Sequence, residues 1–276
     1  MRPTIMNNKL EIQLVGDTFS DFNNGNLGYS VFRKSAKNVA WTQDNRDAVF
    51  YIDMSIPLAL TNKSSQRKFA WLLESRAIIP QVYNWVIANL EECLATFEVI
   101  FTWDQQLLML SDKFKWVPAQ GFWIKEPRIY DKSKLVSFIS STKMYCAGHL
   151  VRLKYVQELR DYVDLYGRGF NEVENKEDAL CDYMFSVAIE NDVRETYYTE
   201  KILDCFATGT IPVYLGALDI GNLFNLEGII SIDDFFMISP DLYHSKLDAI
   251  KDNLERVKKM EILEDFIYER YLADML

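Results

Sequence analysis

The feature that most constrains this chain is a rhythm of short, unbroken apolar runs separated by stretches of helical period. "AVFYID" (48–53), "KFAWLLE" (68–74) and "FEVIFTW" (97–103) show no polar face along their length. Such runs are strands covered on both sides, as in a parallel sheet between layers of helices. Between the second and third, Pro80 suits a first helical turn, and Val82, Val86, Leu90 and Cys93 recur every three or four residues. Upstream, "KLEIQLV" (9–15) alternates Leu10, Ile12 and Leu14 with Glu11 and Gln13, a half-buried strand ending in a turn at Gly16-Asp17. Strand, helix and strand in alternation predict an α/β fold with a mainly parallel sheet.

The rhythm then repeats. "KEPRIYDKSK" (125–134) is charged and turn-like and reads as a linker. After it come "KLVSFIS" as a strand, "GHLVRLKYVQELRDY" as a helix and "VDLYG" as a strand. "KEDALCDY" follows as a short helix and "MFSVAIE" as a strand, then a helix and strand within 197–216 and "GIISI" (228–232) as a last strand. Ser239 caps a helix with Pro240 behind it, and Leu247, Ile250, Leu254 and Val257 form an apolar face beyond. Two nucleotide-fold halves are expected, with ligands outside the carboxyl ends of the strands. The expected domains are 1–128 and 129–259, with a terminal helix at about 260–276 packing back on the first.

The net charge of −10 argues against nucleic acid or an anionic membrane as the main partner, since each needs a broad basic surface. A small anion is not excluded, because two or three cations suffice. Cys93, Cys146, Cys181 and Cys205 are far apart with no C-x-x-C, so reduced thiols are expected, with neither zinc nor a disulfide framework. "MRPTIMNNKLEIQL" lacks the apolar core of a signal peptide and no window suits a membrane span, so the expected compartment is the cytoplasm. With only two histidines, a histidine-based triad or metal site has little material.

Chemistry concentrates in "YMFSVAIENDVRETYYTEK" (183–201). A buried strand delivers Glu190 and Asn191 at its carboxyl end, and a helix starts after Tyr197. A helix start has unpaired N–H groups and the positive end of the dipole, so it suits an anion. Lys201 there is slightly unfavourable unless an anion compensates it; the bland alternative is a solvated surface pair with Glu200. "ILDCFATG" continues the helix, and Gly209 fits its left-handed cap. Gly216, ending the next strand, either admits a close backbone approach or marks a turn. Arg152 lies early in a second helix after "SSTK" and could join Lys201 in neutralising a diphosphate, or be an ordinary surface arginine. His149 suits a local hydrogen bond. Glu74, ending "FAWLLE", is either a general base over the cleft or a cap for the turn that follows.

"FSVAIENDVRETYYTEKILDCFATGTIPVYLG" resembles the signature segment of the α-1,3/1,4-fucosyltransferases. Glu190-Asn191, Tyr197, Thr199-Glu200-Lys201, Gly209, Pro212-Val213 and Gly216 match in order. The likeness is strong over about 183–235 and recognisable back through "VRLKYVQELRDYVDLYG" and Lys176; over 1–130 it rests mainly on "WLLES". It implies a GT-B-like fold, two Rossmann-like domains facing across a cleft, the first on the acceptor side and the second holding the nucleotide sugar. It also implies inverting transfer of fucose from GDP-β-fucose to a hydroxyl of a glycan. On that resemblance Arg152 and Lys201 hold the diphosphate, and Asn191, Tyr197 and Glu200 contact the donor. Glu190 and Gly216 support the site, and Glu74 is the catalytic base. Asp192 and the charged loop "DVRE" depart from the family's small polar residue there, leaving the donor sugar and the acceptor open. Another GDP- or UDP-sugar transferase, or a non-catalytic nucleotide-sugar or glycan-binding module, remains the alternative. No D-x-D occurs, so no cofactor is expected and a divalent metal is not expected to be essential.

Overall fold

The computed structural model describes residues 9–16, 36–119 and 121–276. The chain divides into two compact units. One runs to Glu74 and takes in Ile79–Pro118 and Glu261–Leu276; the other comprises Ser75–Ile78 and Ala119–Met260.

The first unit contains β1 (Leu10–Val15), β2 (Val39–Thr42), β3 (Ala48–Ile52), α1 (Leu58–Thr61) and β4 (Arg67–Leu72). It continues with α2 (Pro80–Ala88), α3 (Leu90–Thr96), β5 (Val99–Thr102), α4 (Gln105–Leu108) and β6 (Phe114–Trp116). Its sheet has the order β2-β1-β3-β4-β5-β6 with every neighbouring pair parallel. All five residues of β3 are buried, as an unbroken apolar run requires. Phe50 stands opposite Phe69, and their rings stack with centroids 5.1 Å apart. The single helix expected after Pro80 is two, broken at Asn89. The Asn89 side-chain amide donates to the Trp85 carbonyl at 2.8 Å, competing with the helical ladder as asparagine does.

The second unit contains β7 (Lys134–Ile139), α5 (Ala147–Leu159), β8 (Asp164–Tyr166), a 3₁₀ turn at Lys176–Ala179 and β9 (Tyr183–Ile189). α6 (Glu200–Thr208), β10 (Ile211–Leu215), β11 (Ile230–Ser231), α7 (Pro240–Ser245) and α8 (Leu247–Lys258) complete it. Its sheet is also parallel, ordered β11-β10-β9-β7-β8. Gly209 closes α6 at φ 69°, the left-handed cap expected of it.

The division at Pro118/Ala119 falls ahead of the expected boundary at 128/129, and residues 125–134 are not a linker. They wall the second unit. The last turn of α6 leaves carbonyls without intrahelical partners, and this segment supplies donors to them. Arg128 N donates to Ala207 O at 2.9 Å and Tyr130 N to Thr208 O at 3.3 Å. Lys132 Nζ donates at 2.9 Å to Thr208 O, Cys181 O and Thr210 Oγ1. Of the charges that suggested a loop, the Lys132 ammonium is the one used on the end of α6.

The chain end belongs to the first unit. Leu263 and Ile267 of α9 (Leu263–Ile267), with Leu272 beyond, join the core formed by Ile12, Phe50, Phe69 and Phe101. The Asp265 carboxylate accepts from Lys37 N at 2.8 Å, and Trp41 Nε1 donates to Glu264 at 3.2 Å.

Both sheets share one topology. From β1 the chain goes to one side for β2 and to the other for β3, and from β7 it does the same for β8 and β9. The β1/β3 and β7/β9 junctions are therefore topological switch points, where doubly wound sheets open a crevice at the strands' carboxyl ends.

Candidate active site

In the second unit the switch point lies between β7 and β9, and the suspected residues collect there. β9 ends at Ile189, so Glu190 and Asn191 emerge from the sheet beside the start of α5. Arg152, on the second turn of α5, donates through Nη1 to Asn191 Oδ1 at 2.9 Å and to Ile189 O at 3.4 Å. It is 6% exposed, and its Nε has no hydrogen-bond partner. Arg152 is thus not a surface arginine. Burial lowers its pKa, while the negative charges of Glu190 and Glu200 act in the opposite direction. A buried donor without an acceptor is costly, and an anionic oxygen would satisfy it.

Gly148 permits this arrangement. A Cβ there would collide with the backbone of Asn191, so only glycine lets the first turn of α5 close on that strand end. Nothing in the sequence alone singles out Gly148. His149 Nδ1 accepts from Tyr145 N at 3.0 Å. Burial, then the Arg152 charge, push His149 down to about 4, so it is neutral near pH 7 and fills a local role.

Thr199 caps α6 in an extended conformation. Glu190, 1% exposed, reaches across to it. One carboxylate oxygen accepts from Thr199 N at 2.8 Å; the other accepts from Thr199 Oγ1 at 2.7 Å and Lys201 Nζ at 3.1 Å. Lys201 also donates to Thr199 Oγ1 at 2.9 Å and stands 3.8 Å from Glu200. It is therefore more than a solvated pair with Glu200: its main partner is a buried carboxylate, and its side chain keeps 21% exposure. Gly216 has a packing role, since a Cβ there would strike Tyr214 and Glu190. Tyr197 is 2% exposed and close enough to Arg152 to interact with it, so it offers no open stacking face.

A further cluster was not anticipated. Lys176 Nζ lies 2.7 Å from Asp204 and 3.4 Å from Glu200, with the exposed Trp123 ring 4.6 Å away. Trp123 N donates to the other Asp204 oxygen at 2.5 Å. Burial alone would raise Glu200, but Lys176 and then Lys201 bring it down to about 2. Asp204, 1% exposed, is raised by burial to about 6 against the pull of Lys176. The signal was present in sequence: Glu200 and Asp204 are acidic residues four apart on one helix, a repulsive spacing that asks for a cation.

Glu74 belongs to the first unit, just past β4, and is half-buried. Its backbone is held on both sides. Its N–H points to the Asp53 carboxylate at 3.2 Å from Oδ1, and its carbonyl accepts from Tyr83 OH at 2.8 Å. Burial raises Asp53 to about 7 despite the hydrogen bonds from Leu73 N and Glu74 N. Asp53 attracted no attention in sequence beyond ending a strand.

Among the described residues, no group of three or more His, Cys, Asp or Glu side chains is placed to hold a metal ion. No helix among them is long and apolar enough to cross a membrane.

Comparison with known proteins supplies a context for this geometry. Residues 129–259 match the family model described as glycosyltransferase family 10 (fucosyltransferase), C-terminal part. The chain is 37% identical over 67 residues to the alpha-(1,3)-fucosyltransferase FucT of Helicobacter pylori, covering 24% of this chain and 14% of that protein. It is 26% identical over 187 residues to the human 4-galactosyl-N-acetylglucosaminide 3-alpha-L-fucosyltransferase 9, covering 62% and 49%. The chain spans less than half the length of these curated relatives. An alpha1,3-fucosyltransferase crystal structure superposes with a TM-score of 0.55 at 16% identity, covering 99% of this chain and 90% of that one. A structure of an alpha1,3-fucosyltransferase with GDP-fucose gives 0.51 at 17%, covering 91% and 82%. The fold is thus shared with these GT-B structures: α/β, with two Rossmann-like parallel sheets.

Proposed function

From the match of residues 129–259 to the glycosyltransferase family 10 (fucosyltransferase) model, we propose that this chain is an inverting glycosyltransferase. It moves fucose from GDP-β-fucose to a hydroxyl of an acceptor glycan. One observation carries the assignment: within the matched segment, a buried arginine with an unpartnered donor and a half-buried lysine meet around the end of β9 and the start of α6. That combination suits a diphosphate whose charge grows as it leaves.

Each residue then has a task. Arg152 and Lys201 neutralise the departing GDP, aided by the positive end of the α6 dipole. Asn191 fixes the guanidinium, and Glu190 fixes Thr199 and Lys201. Glu200, kept ionised by Lys176 and Lys201, accepts hydrogen bonds from the sugar hydroxyls. Glu74 takes the proton of the acceptor hydroxyl as its oxygen bonds to the anomeric carbon from the face opposite the diphosphate. The bond from that carbon to the β-phosphate oxygen breaks, GDP leaves and the anomeric configuration inverts. Two protein cations supply the counter-charge, so no divalent metal is required.

The loop after Asn191 favours a second reading in one respect. Arg194 Nε donates to Asp192 at 2.8 Å, a charged pair where the family resemblance implies a small polar residue, and it leaves room for a different sugar on the same diphosphate site. Melting-temperature shifts with GDP, UDP and CDP and their sugars separate the readings. GDP and GDP-fucose should each raise the transition; a rise with UDP and none with GDP would remove the fucose assignment.

A further inference from the structure

Asp53 stands at the switch point of the first sheet, directly after β3. Among the described residues it is the one non-glycine with positive φ, at 46°. It is 2% exposed. Non-glycine residues in the left-handed region persist where their surroundings over-determine them, and they gather at functional sites.

Its surroundings explain the conformation. β4 ends at Leu72, so the next peptide groups have left the ladder. Both of their N–H groups converge on the Asp53 carboxylate: Leu73 N at 2.7 Å and Glu74 N at 3.2 Å from Oδ1. The carbonyls are held as well. Trp103 Nε1 donates to Leu73 O at 3.2 Å, and Tyr83 OH donates to Glu74 O at 2.8 Å. Ser55, two residues on, ties the turn back to the sheet, donating to Val15 O at 2.6 Å and accepting from Ile52 N at 2.7 Å. An ordinary capping carboxylate would need none of this: it would satisfy one or two N–H groups from relaxed backbone at the protein surface.

We propose that Asp53 is a positioning residue for Glu74, a buried carboxylate that fixes the backbone from which Glu74 projects and so sets the direction of its side chain. The inference rests on the reading of Glu74 as the base. A base displaced by an ångström loses its alignment with the acceptor hydroxyl, which lowers turnover without weakening the donor. Burial pushes Asp53 up to about 7, with the negative charge of Glu74 acting in the same direction, so the two carboxyls are close enough to interact.

The test uses the full chain, with GDP release from GDP-fucose measured with water and with N-acetyllactosamine as acceptors. At pH 8, where Asp53 is ionised, Asp53→Asn keeps the shape and tolerates the left-handed backbone but loses the charge and one of the two acceptor oxygens. Its kcat should fall about tenfold with donor KM unchanged. Asp53→Gly takes φ 46° freely yet removes both acceptors, and its kcat should fall about a hundredfold, again with donor KM unchanged. Urea unfolding followed by tryptophan fluorescence reports folding of the first unit, where Trp71 and Trp103 are buried, and the melting shift with GDP reports the donor unit. Should the glycine variant not fold, the asparagine variant decides alone. Wild-type kcat in a folded variant, or a loss of kcat matched by a rise in donor KM, overturns the proposal. Glu74→Gln separates the two layers. If it turns over normally, the base assignment falls and this inference with it; if it is inactive while the Asp53 variants match wild type, only this inference falls.

Discussion

Lys176→Met removes the cation shared by Glu200 and Asp204, and its consequence can be worked from the structure. Glu200 lies at about 2 against an ordinary 4.5, which at 1.36 kcal/mol per unit is about 3 kcal/mol of stability. Its folded pKa is depressed, so that contribution is complete above pH 4.5 and is lost as pH falls toward 2. Asp204 lies at about 6 against 3.8, a cost of about 3 kcal/mol. Its folded pKa is raised, so that cost is complete above pH 6 and disappears as pH falls toward 3.8. Without Lys176, both carboxylates lose their main counter-charge, and Asp204 keeps the hydrogen bond from Trp123 N. Breaking a buried pair costs about 3–5 kcal/mol, and the 22% exposure of Lys176 puts this case near the lower end.

Urea unfolding at pH 7.5 and at pH 5 is the assay. At pH 7.5 the variant should lose about 3 kcal/mol; at pH 5 the loss should shrink by about 1 kcal/mol, because Asp204 is already largely protonated there in the wild type. Adding Asp204→Asn should recover more than about 1 kcal/mol of coupling. A loss below about 0.5 kcal/mol, or one that is equal at the two pH values, would refute the account of this cluster.

Lys201→Ala should abolish the melting shift with GDP and lower stability by about 3 kcal/mol, because it strands the buried carboxylate of Glu190; unchanged GDP binding in isothermal titration would remove Lys201 from the clamp. Gly148→Ala forces α5 away from Asn191, so GDP affinity should drop at least tenfold in the same titration, and wild-type affinity would show that the close approach is unimportant. Turnover should survive dialysis against EDTA with no more than a twofold change; loss of activity restored by Mn²⁺ would show that the two cations do not suffice.

The fold was legible where one physical pressure dominates. β3, β4, β5 and β9 are buried on both faces, and unbroken apolar runs such as "AVFYI" admit few other solutions. β6, three residues long, gives too little pattern to register. Residues 125–134 were misread because their charges look solvent-bound, whereas Lys132 spends its donors on the end of α6 across a long stretch of sequence. The same limit applies to the site. Arg152, Asn191, Glu190 and Lys201 could be proposed from strand ends and helix starts, and they do cluster. Trp123 and Asp53 could not, because their positions depend on pairings between distant segments: Trp123 on Asp204, and Asp53 on Leu73 and Glu74. Asp204 left a trace as an acid on an apolar helix face.

Fucosyl transfer with inversion can be read from the product by proton NMR. The chain is incubated with GDP-β-fucose and a panel of galactosyl-N-acetylglucosamine glycans, and the anomeric signal of any new fucoside is read early in the reaction. The account predicts an α-linked fucoside formed in step with GDP release. A β-linked product, or a chain that transfers sugar from a UDP donor and leaves GDP-fucose untouched, would contradict it.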